Sequence, residues 1–278
     1  MTRRSSYWFF CVAVIIAGCA GQQVLPISYT TGAPAPHLRR SSDYGDTATA
    51  IAFAMVEELK LPKFETVLYI YPSLSDYKAG FVNELQGSPE QASASSDSVA
   101  ISNCQYKKIL VNGHWFSRVP WTAKVKTLAH EMTHVTQFAL GKWSCREAHA
   151  WITEGFANWL AYRILDKLSV DNFASARGEY LKAVAEFKSF RTLPSLAAIS
   201  HYPDWDYTTR SMGYEATYSQ AFLAVEYLIE RNGLEGIVKY LSLFEDSEDA
   251  EANFKTAFGA EFSTFEADFN AYFLKLSN

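Results

Sequence analysis

The residues best suited to chemistry are His130, Glu131 and His134, spaced as His-Glu-x-x-His. In a helix a four-residue step turns through about 400°, so both imidazoles leave one face roughly 6 Å apart along the axis. Two neutral imidazoles so placed can bind one zinc ion, and the Glu131 carboxylate can reach a water at that metal. The flanks suit a helix: residues 121–140 lack Gly and Pro, and Gly141 offers a stop. Chance also produces this short pattern, so the motif needs support from its surroundings.

That support comes downstream. Trp151-Ile152-Thr153-Glu154-Gly155-Phe156-Ala157 opens a second helical run, with Glu154 twenty residues after His134. A helix, a short turn and an antiparallel helix would return that carboxylate to the histidine pair as a third ligand. The combination resembles the gluzincin metallopeptidases, the thermolysin-like and aminopeptidase-like superfamily. The resemblance is specific over residues 128–159 and looser over 214–228. It implies one Zn2+ held by His130, His134 and Glu154, and a peptide or protein substrate hydrolysed with Glu131 as general base.

Zinc with three protein ligands keeps one position open, whereas a purely structural site has no use for an open position or for Glu131. The alternative from another class is a silent, metal-stabilised scaffold or peptide-binding lipoprotein of an envelope complex. Hydrolysis also needs a donor aimed at the developing oxyanion. The related aminopeptidases use a tyrosine on a later helix, and Tyr218 in Gly213-Tyr214-Glu215-Ala216-Thr217-Tyr218 resembles it. Tyr214 and His201 are its rivals. Thermolysin-like enzymes place an aspartate one turn after the glutamate ligand; here that position is Asn158, a possible outer partner for a histidine ligand. His149, five residues before Glu154, is expected to face elsewhere. No Gly-x-Met-Glu-Asn element is present, so the resemblance does not extend to exopeptidase action.

The elements that must position these residues read as an α+β chain. A small N-terminal sheet with helices precedes the two metal-bearing helices, and the rest is largely helical. Residues 47–61 read as a helix ended by Pro62. Residues 64–72 form a continuous apolar and aromatic run, a buried strand. Residues 75–85 read as a helix, 87–98 as a serine-rich loop, and 99–102 and 108–111 as two strands joined by a turn. Either strand could supply an edge beside the cleft for an extended substrate. Residues 112–116 read as a loop with His114 exposed. The second metal helix is placed at 149–168, an amphipathic helix at 173–190, and a connection at 201–206. Helices at 211–232, 234–244, 250–258 and 264–276 follow, with breaks at Gly233 and Gly259.

The first residues read as an address. Arg3 and Arg4, an apolar run over residues 8–17 and Ile16-Ala17-Gly18-Cys19 resemble a bacterial lipoprotein signal, with Cys19 the lipidated residue. The organisation is then signal peptide 1–18, tether 19–46 and metallopeptidase domain 47–278, whose catalytic lobe covers about 47–170 and whose helical part covers about 171–278. Ala20 after the cysteine suggests an outer-membrane anchor facing the periplasm. Removing residues 1–18 takes two arginines and no acid, leaving 23 basic against 30 acidic residues, a net charge of −7. No basic patch or Lys/Arg run appears, which argues against nucleic acid or an anionic membrane surface as the main ligand. Once Cys11 leaves with the signal and Cys19 takes lipid, Cys104 and Cys145 remain. In an oxidising compartment that even pair suggests a disulfide.

Overall fold

The computed structural model describes residues 21–29, 38–40, 42–188 and 192–276. The fold is α+β, with one small sheet followed by helices to the C-terminal end. Its strands are β1 (Gln23–Ser28), β2 (Glu65–Tyr71), β3 (Ala100–Asn103) and β4 (Lys108–Asn112), ordered β1-β2-β4-β3. β1 and β3 pair antiparallel with their neighbours, and β2 and β4 run parallel. The parallel pair is central and buried, which explains the unbroken apolar character of β2 and β4. β3 closes one edge and meets the metal-motif helix.

β1 corrects the sequence reading, which counted these residues as tether. Pro26 hid it, but proline is tolerated on an edge strand, where one row of N–H groups has no partner to bond. Gln23 pairs with Ile70 and Ser28 with Glu65, and Ile27 is buried. The folded part therefore begins well before residue 47. Helix α1 (Tyr44–Phe53) starts on Asp43, whose side chain accepts from Asp46 N, and it ends in a π turn, Ala54–Glu58.

α2 (Leu74–Leu85) follows β2. Within the expected loop at 87–98 lies a further short helix, α3 (Pro89–Ala94), started by a reciprocal cap between Ser88 and Gln91. Residues 113–116 also form a helical turn, α4 (Gly113–Phe116), rather than a loop. α5 (Trp121–Leu140) and α6 (Ala150–Lys167) are the two metal-motif helices. α7 is Phe173–Lys188, and α8 (Tyr202–Met212) occupies the stretch read as a connection, with Pro203 in its first turn. The two helices expected over 211–244 lie end to end in α9 (Tyr214–Ser242), and the expected break falls at Gly233, whose backbone is non-helical and whose φ of 70° suits glycine. α10 (Ala250–Phe258) and α11 (Phe262–Leu276) complete the described chain.

A large core joins sheet and helices, with α5 and α6 at its centre, and a smaller cluster gathers Tyr71, Tyr77, Leu85 and Leu110. Among the described residues no helix is long and apolar enough to cross a membrane.

Candidate metal centre

α5 carries His130, Glu131 and His134 into the floor of a cleft of about 700 Å³. One wall is the edge strand β3, represented by Ala100, Ile101 and Ser102. The other comes from α8 and the start of α9, with Trp205, Asp206, Arg210, Tyr214 and Tyr218. The turn after α5 lets α6 run back alongside it and presents Glu154. His130 Nε2 lies 3.4 Å and His134 Nε2 3.7 Å from Glu154 Oε2, and the two Nε2 atoms are 3.0 Å apart. A tetrahedral ion with bonds of about 2.0–2.1 Å has ligand–ligand edges of about 3.3–3.4 Å. The three observed separations bracket that value.

The hydrogen bonds behind the ligands decide whether a cation fits. Gln137 Nε2 donates to the Thr153 carbonyl at 2.8 Å, so its Oε1 must face His134 Nδ1, 2.8 Å away. An amide oxygen only accepts, so that Nδ1 carries hydrogen, and in the neutral ring His134 Nε2 keeps a lone pair. His130 Nδ1 meets Asn158 Oδ1 at 3.1 Å, with the same consequence. Two lone pairs then face each other at 3.0 Å beside a carboxylate. That arrangement is repulsive without a positive charge among them. The group His130, His134 and Glu154 could hold a metal ion.

The electrostatics point the same way. Burial alone would lower the His134 pKa, but the adjoining Glu154 charge outweighs it and carries the group up to about 9. Burial would raise the Glu154 carboxyl, yet the neighbouring imidazoles hold it far below the ordinary carboxylate range. The raised imidazole and the lowered carboxyl both favour a positive charge within this group.

Of the other predicted residues, Glu131 is 8% exposed and lines the cleft beside the ligands. Tyr218 lines it too, its ring 6.4 Å from that of His130. Burial first, and then Glu154, hold its phenol well above the usual value, so it stays an O–H donor. Trp205 packs edge-on against it at 5.0 Å. Tyr214 stacks on Tyr218 at 5.8 Å but is 64% exposed on the rim. His201 is exposed ahead of α8 and is not among the cleft residues, and His149 faces away, bonded through Nδ1 to Tyr240 OH at 2.8 Å. Cys104 and Cys145 form a disulfide that fastens the residues after β3 to the α5–α6 turn at the cleft wall. Cys19 lies outside the described residues.

Gln137 and Tyr202 have site roles that the sequence reading did not assign. Tyr202 lines the cleft, and its phenol is raised by burial and then by Glu154. A cue existed only for Gln137, three residues after a histidine ligand on the same helix. Comparison with protein-family models, curated proteins and solved structures finds no match.

Proposed function

We propose that the chain is a zinc-dependent peptidase of a bacterial cell envelope, anchored by lipid at Cys19. The observation that carries the reading is the convergence of His130 Nε2, His134 Nε2 and Glu154 Oε2 in an open cleft, with a further carboxylate, Glu131, beside them. Two imidazoles and a carboxylate suit zinc, which would supply a Lewis acid able to polarise a carbonyl and acidify water. Glu131 accepts the proton of the attacking water and passes it to the leaving amine. Tyr218 donates its phenolic hydrogen to the oxygen on which negative charge develops. Edge strand β3 offers backbone groups to an extended peptide along the cleft wall. Asn158 and Gln137 hold the imidazoles in the required tautomers.

The test is turnover of a diverse peptide mixture by zinc-loaded protein beside its Glu131→Gln variant. Removing a general base should lower turnover by roughly 10²–10⁴-fold while zinc stoichiometry stays the same. Zinc-loaded wild-type protein that cleaves nothing would instead favour the scaffold reading. Acyl labelling of wild type and Cys19→Ser tests the anchor separately.

A further inference from the structure

The edge strand and the disulfide meet at one place. Asn112 N donates to the Val99 carbonyl at 2.9 Å, and β3 pairs with β4 as Ile101 with Leu110 and Asn103 with Lys108. Hydrogen-bonded pairs alternate along an antiparallel ladder, so Val99, Ile101 and Asn103 give their backbone groups to β4. Ala100 and Ser102 therefore turn theirs outward, along the cleft wall that they line.

The two ends of this strand are held differently. Before it, the Ser96 carbonyl accepts from Asn112 Nδ2 at 3.1 Å and from Trp115 Nε1 at 3.0 Å, and the Ser98 carbonyl accepts from Asn112 Nδ2 at 3.3 Å. After it comes Cys104, bonded to Cys145. A weaker tie to the α5–α6 turn is the exposed Lys107 ammonium, 4.5 Å from the Trp143 ring centre. The turn itself has bonds of its own. Trp143 N donates to the Phe138 carbonyl at 2.8 Å, Ser144 Oγ to the Phe244 carbonyl at 2.7 Å, and Arg146 Nη1 to that same carbonyl at 3.2 Å. Parting the sulfurs thus leaves Glu154 in place and loosens the end of β3. Cys145 is exposed and both cysteines line the cleft, so a small thiol can reach the bond. Cys145 also has a φ of 56°, a left-handed backbone that residues with a side chain avoid, and Lys142 and Trp143 share that conformation.

We propose that the Cys104–Cys145 bond is a redox-sensitive latch on the substrate-binding edge: its reduction frees the end of β3 and weakens peptide binding while the metal ligands stay in place. The proposal rests on the peptidase reading for its substrate and on the fold for its latch. A dithiol supplies the electrons. Its thiolate attacks the exposed Cys145 sulfur, the bond to Cys104 breaks, and Cys104 leaves as a thiolate that takes up a proton. The second thiol then displaces Cys145 and closes the reductant's own disulfide. The protein gains two electrons and two protons, and the dithiol loses both.

The test treats full-length oxidised protein with dithiothreitol in the absence of denaturant, caps the thiols with iodoacetamide, removes both reagents and reloads zinc. The Cys104→Ser/Cys145→Ser variant is carried beside it as an open form that needs no reagent. Amide exchange followed by mass spectrometry should rise several-fold over residues 100–106, where the Ile101 and Asn103 N–H groups depend on the ladder, and stay level over 141–167. KM for a cleaved peptide should rise several-fold in both open forms, with kcat within about twofold and zinc content unchanged. A bond that resists dithiothreitol until the protein unfolds overturns the latch, as does unchanged exchange over 100–106 in both open forms. Lost zinc or a lowered kcat in place of the rise in KM makes the bond a brace of the metal helices and also overturns it. Oxidised, zinc-loaded protein that cleaves nothing overturns the peptidase reading alone, and the exchange measurement then decides the latch.

Discussion

The side chains that orient His130 and His134 are both neutral amides, Asn158 and Gln137. A neutral acceptor fixes the tautomer of an imidazole but adds no charge behind it, so its contribution lies in aiming the ring. Asn158→Ala or Gln137→Ala should therefore weaken metal binding about 10–100-fold, measured by competition with a chromophoric chelator. Unchanged affinity in both would mean that helix packing alone aims the rings. His130, His134, Glu154 and Asn158 were legible because helical geometry fixes where each points once the helix is recognised. Gln137 was not, since its value depends on the Thr153 carbonyl sixteen residues away. Tyr202 was hidden because the stretch around it read as a connection.

Helix α6 packs tightly against α9 at Gly155, next to Glu154. A Cβ there would fall on the Ala221 carbonyl and lie 3.0 Å from Val225 Cγ2. Tyr218 stands one turn before Ala221, so a methyl at 155 pushes the donor's helix off the ligand's helix. Gly155→Ala should lower turnover in wild type but add little in a Tyr218→Phe background, which itself should lose roughly 10²–10³-fold. Additive losses would separate the two residues. The Cys104–Cys145 bridge closes a sequence separation of 41 residues across the cleft wall. Replacing both cysteines by serine should cost about 2–4 kcal/mol, read as a lower urea midpoint. An unchanged midpoint would show that packing already holds that turn. Both metal helices were legible because they are long and unbroken. α3 and α8 were not, because each opens with a proline in its first turn within a polar stretch that also suits a loop.

At the scale of the whole molecule, the α+β order was legible, and so was the C-terminal helical part. What holds the two together was not, because it consists of rings brought together from distant positions. His149, just before α6, stacks on Phe262 at 4.9 Å and on Tyr240 at 6.1 Å. Burial first, and then the nearby His201 charge, hold it down at about 4, even though Glu251 lies 3.8 Å from its Nε2. The unfolded chain takes up that proton near pH 6.5, so between these values the unfolded state binds more protons. The group's contribution is complete above about pH 6.5 and is lost as pH falls toward about 4, on the order of 3 kcal/mol. His149→Gln should flatten the fall in urea-unfolding stability over that range; an unaltered slope would assign it to carboxylates instead. The same cluster includes Trp151, which lies 5.7 Å from Phe265, and Phe254, 6.0 Å from His149. The start of the helix that bears Glu154 is thus walled by rings from Phe254, Phe262 and Phe265, close to the C-terminal end of the described chain. Until those rings are in place the group His130, His134 and Glu154, which could hold a metal ion, lacks one of the walls that fix its spacing.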